Sequence, residues 1–230
     1  DLGFADDGYR LPPLHVRQHT IDIESTQIGL LFDAEALTLA DRRAARKASL
    51  DDRVAACAGI VNSSAEPWVV WCDLNAEGDM LKRLIPDAVE IRGSDSIEEK
   101  ESRLESFAAG RVRVLISKPS ICGWGLNWQH CRNIAFVGVT DSYEAYYQAV
   151  RRCWRFGQQS AVNVHVFASS LEGAVIANLA RKERDAAQMA ASLAAETADA
   201  VRSEVLGYRK ETNEYAASQK INIPSFLAAA

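Results

Sequence analysis

No apolar run in the chain is long enough to span a bilayer. The longest, such as Trp68-Val69-Val70-Trp71-Cys72 and Ile134-Ala135-Phe136-Val137, are strand-length, where a helical span needs roughly 18 residues, so no membrane protein is expected. Glycine and proline are scarce, at 13 and 6 in 230 residues, and with 48% apolar and 25% charged residues this excludes disordered, collagenous and fibrous chains. Positive charge is not in excess: 26 Lys and Arg against 31 Asp and Glu leave a net charge of −5, so any nucleic-acid binding must be local. The five cysteines (Cys57, Cys72, Cys122, Cys131, Cys153) include no C-x-x-C pair, and only four histidines accompany them. That argues for reduced thiols in a cytoplasmic protein and against a metal site. There is no initiating Met and no signal segment, which points to a piece of a longer polypeptide.

What the chain does have is length enough for a self-sufficient core. Residues 1–66 read as a connector: a possible strand around His15 to Ile23, then a helix. Thr38 and Asp41 resemble a capping box, and Leu50, Val54, Cys57 and Val61 follow at helical spacing, predicting one long amphipathic helix. Arg42, Arg43, Arg46 and Lys47 on it read as a solvated face paired with nearby carboxylates. From Trp68 short apolar runs alternate with amphipathic helices, the pattern of a parallel α/β sheet. Strands are expected at Trp68–Cys72, Val89–Ile91, Val112–Ile116, Ile134–Val139 and Val162–Phe167. Asn75 is expected to cap a helix carrying Met80, Leu81, Leu84 and Ile85. Ser96 and Glu99 open another as a capping box, which Gly110 ends in a left-handed cap. Five strands with helical crossovers make a three-layer α/β domain over residues 67–170. Residues 171–230 form an Ala-rich helical extension to about Val205, expected to pack back on the domain, and a tail.

The segment from Tyr143 to about Phe156 is predicted as one helix. Tyr143, Tyr147, Val150 and Trp154 would meet the sheet, and Gln148, Arg152 and Arg155 would share the opposite face. Taken alone, this helix allows two readings. The cations complement the macrodipole and pair with surface carboxylates, or Arg152 and Arg155 form a bidentate clamp for polyphosphate.

Three segments in order resolve the choice. Gly93-Ser94 follows a strand, with Lys100 and Phe107 at fixed spacing; Ser117 to Asn127 follows the next; Gln148-Ala149-Val150-Arg151-Arg152-Cys153-Trp154-Arg155-Phe156-Gly157-Gln158 comes last. This resembles the second, C-terminal RecA-like lobe of superfamily-two helicases, and within them the Swi/Snf-type DNA translocases, with wording closest to phage and prophage members. Their S-T-x-A-G-G-x-G-x-N is similar to Ser117–Asn127, here one residue longer with Cys122-Gly123 in place of the Gly pair. Their Q-A-x-D-R-x-H-R-x-G-Q is similar to Gln148–Gln158, with Arg151 and Trp154 replacing Asp and His.

The resemblance implies that Arg152 and Arg155 are catalytic arginine fingers reaching ATP and Mg2+ held on a first, N-terminal RecA-like lobe. Gln148, Gly125 and Asn127 would serve the nucleotide side. Gly93, Ser94, Ser117, Lys118 and Gly123 would contact the DNA backbone without reading sequence. Trp124 and Trp128 fit burial better than base stacking. The chain has no G-x-x-x-x-G-K-[ST] phosphate loop and no Asp-Glu motif, so it is expected neither to hold ATP and its metal nor to hydrolyse ATP alone. The alternative is a non-catalytic RecA-like module that binds DNA or protein. A dinucleotide-binding enzyme fits less well, because Gly123-Trp124-Gly125 lacks the third glycine of that fingerprint.

Overall fold

The computed structural model describes residues 11–22, 39–122, 127–138 and 142–205. By proximity the chain divides into two units, Gly3–Ala187 and Gln188–Ala230 with Asp1–Leu2. The first is an α/β domain on a six-stranded sheet. Its strands are β1 (Leu14–Ile21), β2 (Trp68–Trp71), β3 (Ala88–Glu90), β4 (Val114–Ser117), β5 (Asn133–Phe136) and β6 (Val162–Ser169). They lie in the order β1-β6-β5-β2-β4-β3, and every pairing is parallel.

Every residue of β2, β4 and β5 is buried, because a parallel sheet is covered on both faces, and all but Ser117 and Asn133 are apolar. Alternate residues feed two cores. Val69, Trp71, Leu115, Ile134 and Phe136 join Phe107 of α4 (Ile97–Ala108), Trp128, and Tyr146, Ala149 and Val150 of α6 (Tyr143–Val150). Trp68, Val70, Val114, Ile116 and Ala135 join Val54, Cys57 and Val61 of α2 (Leu50–Asn62) and Leu81 of α3 (Asn75–Leu84). This is the three-layer arrangement the sequence predicts. All five cysteines are free and buried within it.

The sixth strand is the main departure. The segment read as connector pairs along eight residues with β6, from Leu14 beside Val162 to Ile21 beside Ser169. The strand read around His15 to Ile23 is therefore present, but its outward residues are exposed, and nothing in that polar pattern says that it joins the sheet. Where β1 meets β6, His19 Nε2 and His165 Nδ1 lie 3.0 Å apart, stacked against Phe167 and edged by Trp68. Burial, then His19 and Arg17, lower the His165 pKa to about 4. An unfolded histidine takes its proton near 6.5, so the unfolded state binds more protons below that pH. Stability is therefore expected to be complete above about pH 6.5 and to fall as pH drops toward 4. Urea midpoints at pH 7 and pH 5 test this: His165→Phe should show the smaller loss.

The long helix predicted across Thr38–Val61 is two, α1 (Leu39–Ala48) and α2, with Thr38 outside the described residues. Ser49 marks the break. Its hydroxyl donates to the Ala45 carbonyl at 2.9 Å and accepts from Arg53 Nε at 2.9 Å, the local side-chain bonding that bends helices. Asn75 is not the cap of α3. It is the first helical residue and exposed, and Glu77 caps instead, accepting from the Asp73 and Leu74 amides at 2.8 and 3.0 Å. The α4 ends match the sequence reading. Ser96 Oγ accepts from Glu99 N while Glu99 Oε2 accepts from Ser96 N. At the other end Arg111 N reaches Ser106 O and Gly110, at φ 71°, reaches Phe107 O, a Schellman cap.

The short helix α5 (Pro119–Cys122) follows β4, and a 3-10 turn at Ser170–Glu172 opens α7 (Gly173–Val205). Within the first unit, residues 183–187 of α7 are exposed. In the second unit α7 continues to Val205 with Met189 and Leu193 exposed. Among the described residues no helix is long and apolar enough to cross a membrane.

Candidate functional site

The predicted helix through Phe156 stops at Val150. Beyond it the chain tightens: Arg152 N bonds Ala149 O and Cys153 N bonds Val150 O, a 3-10-like pattern. The faces therefore differ from the helical-wheel reading. Tyr146, Ala149 and Val150 meet the sheet, whereas Tyr147 is exposed. Trp154 is only partly buried, and its indole N–H donates to Pro12 O at 2.7 Å. Arg151 stacks its guanidinium over Tyr147 and Trp154, at 5.7 and 5.4 Å from the ring centres.

Arg152 and Arg155 follow from this turn, not from a common helix face. Arg152 is 5% exposed and Arg155 partly exposed. Burial, then the neighbouring Arg155 charge, lower the Arg152 pKa, so the two guanidiniums sit within each other's field. Arg155 Nη1 donates to Asn127 Oδ1. That acceptor is neutral, and among the described residues no carboxylate pairs with Arg155. A guanidinium held by an amide keeps its charge for an incoming anion.

Four further hydrogen bonds fasten this turn to the segment 127–131. Trp128 N donates to Arg152 O at 2.8 Å, and Gln129 Nε2 to Phe156 O at 3.0 Å. Gln158 is 8% exposed; its amide donates to the carbonyls of Gln129, Cys131 and Cys153, while its oxygen accepts from Ser160 N. Gly157 between them has φ 91°, a conformation that favours glycine. Sequence reading matched Gln158 to its motif but gave it no task. Its task is to hold the loop, since its two amide hydrogens are shared among the three carbonyls, with the shortest bond to Gln129 O at 2.9 Å. Gln158→Leu is expected to cost about 1–3 kcal/mol, read as a lower urea midpoint.

The segments read as touching DNA adjoin this loop at α5. Gly93 and Ser94 are exposed in the turn after β3, where Lys100 Nζ donates to Gly93 O at 2.7 Å. Lys118 is partly exposed at the entry to α5. Burial raises the Cys122 thiol pKa, while Lys100 and Arg152 pull it down, so positive charge approaches the end of α5 from both motifs. Ser117 does not fit the role assigned to it. It is fully buried at the end of β4, and its hydroxyl donates to Ile91 O at 3.0 Å, joining β4 to the end of β3. Gln148 is partly exposed on α6. Gly123, Trp124 and Gly125 lie outside the described residues. Trp128 is buried against Trp71 and Phe107.

No curated protein matches the chain. Among solved structures it is similar to the C-terminal domain of the DEAD-box protein Dbp5, with 11% identity and a TM-score of 0.52 over 59% of this chain and 80% of that one. It is also similar to the C-terminal part of the Fun30 ATPase domain, with 14% identity and a TM-score of 0.49 over 55% of this chain, which spans 44% of that one. At such identities a likeness speaks to fold alone. Residues 57–157 match the family model of the helicase conserved C-terminal domain. That stretch contains β2 to β5, the α5 segment and the loop of Arg152 and Arg155, and the all-parallel α/β fold is consistent with a RecA-like domain of that kind.

Proposed function

We propose that the chain is the second lobe of an ATP-driven DNA translocase of Swi/Snf type, completing a nucleotide site whose other half lies on a first RecA-like lobe. The observation that carries this reading is the Arg155 guanidinium, held by the neutral Asn127 amide beside Arg152 on a loop stapled by Gln158. A planar, permanently charged fork of this kind suits charge developing on a transferred phosphoryl group. Gln148, Asn127 and Gly125 serve the nucleotide side. Gly93, Ser94, Lys118 and Gly123 contact the DNA backbone, Lys100 fixing the Gly93 turn; Ser117 acts from behind by joining β4 to β3.

The residues present fit the anion and not the metal. The partly exposed Arg155 guanidinium offers its charge to an anion, whereas among the described residues no group of three or more His, Cys, Asp or Glu could hold a cation, and the sequence has no phosphate loop. ATP with Mg2+ supplies the reactive phosphoryl group from the first lobe. This chain's part is to orient Arg152 and Arg155 and to hold the DNA backbone.

The experiment is a comparison of ATP turnover by the 230-residue chain alone and by a polypeptide that joins it to a phosphate-loop lobe, each with and without duplex DNA. The chain alone should show none, and the joined protein DNA-stimulated hydrolysis. No hydrolysis by the joined protein would favour the non-catalytic module. Hydrolysis by the chain alone would overturn the half-site.

A further inference from the structure

The sheet order reverses beside β2, and in open parallel sheets the crevice beyond the carboxyl ends of the strands at such a point is where ligands bind. Here the cavity lined by Cys72, Asp73, Gly138 and Tyr146 is only about 20 Å3, room for about one water. Charged side chains of the chain itself fill this end of the sheet. Arg46 of α1 donates from Nη1 to Asp73 Oδ2 at 2.7 Å and from Nε to Glu172 Oε1 at 3.0 Å. Asp73 stands just past β2. Glu172 closes the turn that opens α7, its second oxygen accepting from the Ser169 amide and hydroxyl at 3.1 and 3.0 Å. The Arg46 carbonyl in turn accepts from Arg53 Nη2 at 2.7 Å.

We propose that Arg46 is a positioning residue that seats two helices at once, one guanidinium tying α1 both to the end of β2 and to the turn opening α7, so that loosening either helix loosens the other. The side chain of Arg46 is 12% exposed and that of Glu172 5%, so this charge-assisted bond is shielded from water and exceeds an ordinary surface pair, while the bond to Asp73, 32% exposed, is the weaker of the two. Burial opposes the charge on Arg46, but Glu172, Asp73 and Glu77 outweigh it and raise the pKa. Only a forked cation reaches both carboxylates. The link is long-range, because Glu172 lies 126 residues from Arg46 in the chain.

Amide hydrogen exchange on the 230-residue chain tests it. Glu172→Gln, a change at the α7 end, should speed exchange at residues 45–48 of α1 about 10-fold, with β2, β4 and β5 changed by less than about two-fold. Arg46→Met should speed both ends, and adding Glu172→Gln to it should do nothing more at α1. If Glu172→Gln acts only around residue 173, the two helices are anchored independently and the proposal fails. It fails equally if exchange rises throughout the sheet. Should Arg46→Met not fold, Glu172→Gln and Asp73→Asn, which preserve side-chain size, decide between coupled and independent helices. One further arm rests on the motor reading: in a polypeptide with both lobes, Glu172→Gln should lower kcat for ATP several-fold with KM unchanged. Coupled exchange with an unchanged kcat would show that the double seat does not reach the nucleotide site, whereas loss of turnover in the unmodified joined protein would tell against the motor reading itself.

Discussion

Arg155→Ala, in a polypeptide that carries both lobes, is expected to slow ATP hydrolysis by about 10³-fold or more without shifting the unfolding midpoint. The reason is local. Arg155 is partly exposed and bonds the Asn127 side chain, whereas the loop is held by backbone and Gln158 contacts that do not involve the Arg155 side chain. Arg155→Lys should recover little, because an ammonium lacks the planar fork. Arg152 is the less clean test. At 5% exposure its replacement disturbs packing as well as charge, so Arg152→Ala should lower both rate and stability. Wild-type turnover by Arg155→Ala would remove the role given to that side chain.

Glu77→Ala should be the most destabilising single change in the described core, at about 3–5 kcal/mol. Glu77 and Arg53 are completely buried and 2.9 Å apart, so removing one leaves the other charged in a water-free interior. Glu77 also accepts the two backbone amides that begin α3, which no apolar residue can do. A chain of this size is stable by roughly 5–15 kcal/mol, so urea unfolding should show a large fraction of that lost. Arg53→Leu combined with Glu77→Leu should cost less than the sum of the two single changes, since no orphaned charge is left. Additive losses would show that the pair is not the energetic unit. Gly138→Ala approaches the same site from outside, because a Cβ there would stand 2.8 Å from Glu77 Oε2.

Much of the lobe was readable from residue order. Strands buried on both faces are apolar at nearly every position, so β2, β4 and β5 announce themselves, with Ser117 and Asn133 as the buried polar exceptions. The α4 caps were equally legible, since Ser96, Glu99 and Gly110 act on neighbours within a few residues. β1 was harder: an edge strand keeps one side in water, so its pattern resembles a connector. Arg53 offered a missed signal, a charge on the same stripe as Cys57 and Val61, which is sustainable only with a buried partner. Nothing near it in sequence says that the partner is Glu77.

Short-range periodicity was enough to assign a parallel α/β domain, because it is written in adjacent residues, whereas Arg152 and Arg155 stand out only through the resemblance of Gln148–Gln158 to a family motif. Folding in three dimensions set which atoms those residues meet. It ended α6 at Val150, turned Ser117 inward to Ile91, gave Gln158 three carbonyls to hold and placed Arg46 between Asp73 and Glu172. Those contacts join residues far apart in the chain, and their strength depends on exclusion of water, which exists only once the layers have closed.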